Sequence, residues 1–287
     1  MRSAVVATVM LAACGIAAAQ SNPQALLRMV ATERAFAAAT AELGLRNGFL
    51  AFFADDAVQI EAGETGNGTR LVSAVTALEN RPLAQLPLGP SLVWNPHTGH
   101  VSADGSLGWL TGPYVVMDPA AKSLVAQGAY FSVWKRQSND TWRVWLDEGI
   151  DLPDIWRDAS EFRAAATPEG GEGGRADETA ETAEAEVASG GDRWRQRWSD
   201  SVRIHRSGQM PRVGREAAVT WAAATWAEVA FHVVRVETAA SNDLAVAIAG
   251  YDARTTAGAE HGTWVRVWAR NAASRWRIVF ETSKAAA

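Results

Sequence analysis

The sequence predicts an α+β protein made of two tandem cone domains, each with helices packed on a curved antiparallel sheet. Three observations carry that expectation. Apolar residues recur at helical spacing near the start of the first half, strand-length runs separated by turn residues follow, and much of this text is then written a second time.

Asn22-Pro23 opens a long helix through Leu26, Leu27, Val30 and Phe36, with proline near the first turn where its missing N–H costs nothing. After Gly44, the residues Phe49, Leu50, Phe52 and Phe53 predict a short second helix ending at Asp55-Asp56. Val58 and Ile60 then alternate as a strand, and Leu71 to Leu78 returns to helix. From Ser91 the text is strand-like: Leu92 to Trp94, Leu107 to Val116, Ala129 to Lys135, and Trp142 to Glu148. Asp104-Gly105, Asp118-Pro119 and Ser138-Asn139-Asp140 supply the turn chemistry between runs.

The repeat is clearest at the end of each half. Gly128, Val133, Trp134, Arg136, Trp142 and Arg143 return as Gly262, Val267, Trp268, Arg270, Trp276 and Arg277, all at an offset of 134. Upstream, Asp56-Ala-Val58-Gln-Ile60 is echoed by Asp200-Ser-Val202-Arg-Ile204 at 144, and Asp104 to Gly112 by Asn242 to Gly250 at 138. Offsets that shrink along the chain are what loop insertions in the first copy would produce.

Helix, FxxFFADDAVxI, short helix, Leu92-x-Trp94-x-Pro96, SADGSLGWLTGPY, GxYxxVWKR and WRVWLDEG together resemble the nuclear-transport-factor-like (NTF2-like) cone. The nearest resemblance is to an uncharacterised exported branch of that superfamily, which also holds SnoaL-like cyclases, ketosteroid isomerase and scytalone dehydratase. It covers residues 24–152. The second copy matches in its Asp200 region, middle strand and last hairpin, with its first helix missing or displaced into the joint. The resemblance implies carboxylates, Tyr or His reaching into an apolar cavity, and dimerisation through the sheet.

Residues 1–20 read as a secretory signal, with Arg2 before the apolar run Ala4 to Ala13, which is too short to span a bilayer. Two processing readings compete: cleavage after Ala17-Ala18-Ala19, or a lipobox Leu11-Ala12-Ala13-Cys14 that leaves Cys14 lipidated. Either makes the mature protein periplasmic or secreted, with membrane contact only through a lipid on Cys14. A single cysteine excludes a disulfide framework. The formal charge of −5 divides into +1 from Arg2, −5 over 21–166, −7 over 167–192 and +6 over 193–287. The domains are therefore drawn as 21–166 and 192–287. The acidic, glycine-rich stretch 167–191 reads as a flexible linker, because Val187 is its one large aliphatic residue.

Alternation puts Val265 and Val267 with Trp276, Ile278 and Phe280 in the second core, and Phe131, Val133, Trp142, Val144 and Leu146 in the first. The opposite faces carry Trp264, Arg266 and Trp268, and Tyr130, Trp134, Trp145 and Asp147. Aromatic area interleaved with Arg is seldom left to water, so these faces are expected to dock the two copies as an intramolecular pseudo-dimer.

Candidate chemistry is sparse. No nucleophile motif, phosphate-binding glycine loop or nucleic-acid surface is evident, and no cofactor or metal is expected, His97 and His100 reading as a solvated loop. The segment Arg193 to Trp198 reads as an amphipathic helix packing its tryptophans. Trp94, Trp109, Tyr114 and Tyr130 are the candidate lining of an aromatic pocket for a small hydrophobic or ring-containing molecule. Three functions stay open: a binder in the first domain; a cofactor-free isomerase, dehydratase or cyclase using Asp147, Tyr114 or Asp56 for proton transfer; or a structural envelope protein with both cones filled.

Overall fold

A computed structural model describes residues 22–81, 91–118, 120–157 and 161–286. The signal segment, Cys14 included, lies outside the described residues.

The first half begins with α1 (Pro23–Phe52), capped by Asn22, whose side chain accepts from the Ala25 N–H at 3.0 Å. The two helices expected on either side of Gly44 are one kinked element. Gly44 takes φ 77° and ψ 163°, which lets the last turns fold back on the first. Gly48 lies against Thr40, where a Cβ would come within 2.5 Å of the Thr40 backbone. The return brings Phe49 to 4.8 Å and Phe52 to 5.3 Å from the Phe36 ring. Then follow β1 (Phe53–Glu61), β2 (Arg70–Ser73), α2 (Ala74–Glu79), β3 (Ser91–Trp94), β4 (Thr98–Val101), β5 (Leu107–Asp118), β6 (Ser123–Arg136), β7 (Trp142–Asp151) and the short β8 (Arg163–Ala164). They form a sheet of order β2-β1-β7-β6-β5-β4-β8, with β3 also on β5. β1 and β7 run parallel and the other pairs of β1 to β7 antiparallel.

The second half is α3 (Ala180–Ala188), α4 (Arg193–Gln196), β9 (Trp198–Arg206), β10 (Gln209–Val213), α5 (Arg215–Thr225), β11 (Trp226–Thr238), β12 (Leu244–Thr255), β13 (Gly258–Arg270) and β14 (Trp276–Ala285). Its sheet order is β10-β9-β14-β13-β12-β11, with β9 and β14 parallel. It repeats the first sheet strand for strand from β2 to β5, with β11 in the place of β3.

The stretch 167–191 does not behave as a joint with nothing to bury. It carries α3, which buries Ala180, Ala183, Glu184 and Val187 on one face at i, i+3, i+4 and i+7. Thr179 caps it by accepting from the Thr182 N–H. Alanines suffice here because the partner surface supplies the bulk: the cluster that α3 joins holds Trp194, Trp198, Trp264, Trp268 and Trp276. The acids are spent on the same contact. Glu178 and Glu186 both hold Arg197, the first at 2.6 Å with both side chains buried. The negative stretch and the basic last third are thus two parts of one packed unit. Trp194 and Trp198 are buried as expected, but α4 is a single turn and Trp198 opens β9.

Register corrects two repeat alignments. Leu110 faces Ser132 on β5–β6 and Ala247 faces Arg266 on β12–β13, so those strands correspond at 137. Phe53 faces Val144 and Trp198 faces Ile278, so β1 and β9 correspond at 145. Each text echo was one residue out of step. Asp200 therefore answers Asp55 and not Asp56, and Tyr114 answers Tyr251.

Of the faces assigned to the last hairpins, those of β6 and β13 are reversed, while Trp142, Val144, Trp276 and Ile278 lie inside as expected and Leu146 and Phe280 do not. Tyr130, Trp134, Trp142 and Val144 pack inside the first cone with Phe36 and Trp94. Trp264, Trp268, Trp276 and Ile278 pack inside the second. Phe131, Val133, Trp145 and Leu146 instead share a cluster with Val246, Val265, Val267 and Phe280. There the Phe131 and Phe280 rings stack at 4.6 Å. Alternation identifies which residues share a face but not what covers it, and here both faces are covered. Among the described residues Lys135–Glu237 is the ion pair between the halves, at 2.9 Å, opposite in sense to the regional charges.

Candidate functional site

One irregularity builds the site. Val133 pairs with Leu146 and Trp134 with Val144, leaving Trp145 as an extra residue, a β-bulge in β7. Strict alternation would put Asp147 on the face opposite Trp142 and Val144. The bulge instead turns Asp147 into the cone beside them and sends Trp145 and Leu146 to the shared cluster.

There Asp147 lines a cavity of about 200 Å³ with Phe49, Leu92, Trp94, Tyr114, Tyr130 and Gly149, the exposed Gly149 marking its open side. Trp94, Tyr114, Tyr130 and Asp147 thus come together from β3, β5, β6 and β7. Two candidates do not join them. Trp109 lies in the cluster between the sheets, 5.2 Å from the Phe280 ring, because it has the opposite parity to Tyr114 on β5. Asp56 projects to solvent on β1, 3.5 Å from Lys135, with 64% of its side chain exposed. His97 and His100 are not a solvated loop. His97 packs against Trp156 at 5.0 Å, and His100 is a β4 residue whose Nδ1 is buried.

The Asp147 carboxyl makes no hydrogen bond or ion pair among the described residues. Protein packs around its carboxyl apart from the cavity, and burial, with the charges of Glu33 and Glu148 added, pushes it well above the usual carboxylate range. The Tyr130 hydroxyl is buried without a partner. Burial first, then Glu33 and Asp147, raises it well above the ordinary phenol value. Tyr114 is raised by burial and by Asp151, which accepts its hydroxyl at 3.1 Å.

Sequence reasoning missed Glu33. It is fully buried on α1 and accepts from Trp94 Nε1 at 2.6 Å, Ser132 Oγ at 2.8 Å and Trp134 Nε1 at 2.9 Å. Burial raises its pKa and the three donors hold it back. It anchors the aromatic wall and does not line the cavity. The available signal was a lone acid on the apolar stripe of a helix: Glu33 falls four residues after Met29 and three before Phe36.

The second cone has the same frame, with the space beside its inward carboxyls filled by a side chain. Glu184 on α3 accepts from Trp268 Nε1 at 2.7 Å, as Glu33 does from Trp134. Val267 pairs with Phe280 and Trp268 with Ile278, so β14 bulges at Val279 and turns Glu281 inward, the counterpart of Asp147. Trp264 stands where the first cone has Tyr130, and Arg266 where it has Ser132. Arg266 is 1% exposed and bonds Glu184 at 2.5 Å and Glu281 at 2.6 Å. One cation serves two dry carboxyls, and burial pushes Glu281 up to about 7.

The fold is α+β, with helices packed on a sheet in each half and a lined cavity in the first. Among solved structures, an NTF2-like protein of unknown function from Pseudomonas putida aligns with 51% of this chain and 100% of its own, at 16% identity and a TM-score of 0.35. A putative ketosteroid isomerase from Parabacteroides distasonis aligns with 37% and 83%, at 16% identity and 0.30. An NTF2-like protein of unknown function from Shewanella oneidensis aligns with 36% and 88%, at 15% identity and 0.28. No family model and no curated protein matches the chain.

Proposed function

We propose that the first cone binds a small single-ring molecule in the Asp147 cavity while the second cone, docked sheet to sheet as a pseudo-dimer, serves as its structural partner. The carrying observation is the contrast between copies: Asp147 faces open space unpaired, whereas Glu281 faces a guanidinium. At about 200 Å³ the cavity is somewhat larger than the roughly 150 Å³ that takes up benzene in an apolar core, and below the roughly 300 Å³ where drug-sized pockets begin. Phe49, Trp94 and Tyr130 offer ring faces and edges.

A second reading rests on Asp147 and Tyr130 lining one cavity with both polar groups unpaired. A carboxyl of raised pKa beside a free hydroxyl donor suits cofactor-free proton transfer of the isomerase, dehydratase or cyclase kind, with Asp147 moving the proton and Tyr130 Oη donating to developing negative charge.

Native mass spectrometry of protein from its own host tests for a retained ligand, and 4-fluorobenzyl alcohol followed by fluorine NMR provides a defined probe. A Cβ at Gly149 would meet Tyr114 at an ordinary 3.6 Å, so Gly149→Phe should block the open side and abolish probe binding without lowering Tm. Unchanged binding in that variant defeats the cavity reading. Returned to the protein in D2O, an extracted ligand that is a substrate exchanges or rearranges about 10²- to 10⁴-fold more slowly with Asp147→Asn. Equal rates leave the binder. We also propose export, from Arg2 and the Ala4 to Ala13 run, checked by the mass of the processed chain.

A further inference from the structure

Strand register sets the two cones in correspondence residue by residue. In the second cone the Arg266 guanidinium is held by Glu281 and Glu184 as hydrogen-bonded carboxyls, with the Phe231 ring 3.8 Å away and the Trp264 ring 5.4 Å away. Register gives each a counterpart. Glu281 answers Asp147 and Trp264 answers Tyr130, both at 134. Phe231 pairs with Tyr251 as Trp94 pairs with Tyr114, so Phe231 answers Trp94. Glu184 answers Glu33 through the shared tryptophan bond.

Three of those counterparts, Asp147, Tyr130 and Trp94, line the first cavity, and the fourth, Glu33, stands behind its wall. What differs is the occupant. Ser132 replaces Arg266, and its hydroxyl turns to Glu33. The first cone therefore keeps the carboxyls and aromatic faces that enclose a planar cation in its twin, and lacks the cation. Among the described residues no Lys or Arg lines the cavity.

We propose that the ligand of the first cone is a small ring-bearing organic cation, an amidinium, guanidinium or protonated amine, whose charge takes beside Asp147 the place that Arg266 takes beside Glu281. The proposal rests on the binding reading above and narrows it to a charge class. Its chemistry is that of an ion pair made in a dry site against aromatic faces, where cation–π attraction and a charge-assisted hydrogen bond add and a neutral isostere gains neither. Burial, with the charges of Glu33 and Glu148, disfavours the ionised carboxyl of Asp147, and an incoming cation favours it.

Benzamidinium and its neutral isostere benzamide are the probes, titrated calorimetrically into the full chain. The expected result is binding of benzamidinium at least about 10-fold tighter than benzamide, with the ratio falling to about 1 in Asp147→Asn. Ser132→Arg supplies an independent arm: the new guanidinium should occupy the site, abolish benzamidinium binding and raise Tm, whether or not Asp147→Asn folds. Equal affinities, a preference for benzamide, no benzamidinium binding, or binding that survives Ser132→Arg each overturn the cation. If 4-fluorobenzyl alcohol still binds and Gly149→Phe still blocks it, the cavity reading survives that failure. If no probe binds, both fall.

Discussion

Asp147 and Glu281 occupy one position in two copies of a fold and meet opposite fates, decided by the residue across the strand. Ser132 leaves Asp147 open to a cavity, and Arg266 closes the same space over Glu281. Fully buried ion pairs contribute little net stability, yet removing one member leaves a bare charge in a dry site. Arg266→Met should therefore destabilise the protein by about 3 to 5 kcal/mol. Adding Glu184→Gln and Glu281→Gln should recover most of that loss, as read by urea unfolding. A single substitution that costs nothing would mean Glu281 and Glu184 are already neutral. Legibility at this scale was mixed. Trp94, Tyr114 and Tyr130 could be read as pocket residues from their aromatic character on strands, although parity put Tyr130 with Asp147 on the docking face; Asp147 was read there because a bulge leaves no mark in an alternating text.

At the scale of elements, α3 shows how little apolar bulk a helix needs when its partner supplies it. Its buried face is two alanines, a glutamate and a valine, and composition alone placed it in a solvated linker. Apart from Trp194 on α4, the tryptophans of that cluster named above lie on strands 10 to 88 residues beyond the end of α3, so no local window contains most of the contact. Replacing residues 180–188 with a Gly/Ser segment of equal length should lower Tm by more than 10 °C and expose tryptophan fluorescence. An unchanged melting curve would restore the linker reading. The bulges in β7 and β14 make the same point for strands. Each re-aims one carboxyl, and the two sit at matching positions in their sheets.

At the scale of the molecule, the sheets meet through a cluster to which both halves contribute, and turns exchange bonds across it: Ala103 N–H donates to Asp243, and Ser241 N–H to Asp104. At one end of that seam a cleft is lined by Ile60, Gly63 and Glu148 from the first half and His261, Thr263 and Lys284 from the second. Burial there pushes Glu148 up to about 7, against the pull of Lys284 and the Ile60 amide. A carboxyl raised in the folded state favours the native form fully below its unfolded value and loses that contribution as pH rises through about 7. Glu148→Gln should therefore gain Tm relative to the parent as pH goes from about 5 to about 8. A difference that stays flat over that range would mean Glu148 is solvated and the seam open.

By itself the chain determined the fold class, the helix-first and strand-later order, the repeat, the positions of the long strands β5, β6 and β7 and the aromatic character of the pocket. These follow from periodicity, turn chemistry and self-similarity, which are local or directly comparable along the text. Tertiary structure alone decided which sheet face is covered by which neighbour, where one extra residue turns Asp147 inward, that an alanine-rich acidic stretch is a docked helix, and that Arg266 fills one cone and Ser132 leaves the other open. Each of those is a contact between residues far apart in sequence, and its free energy depends on what the partner strand brings.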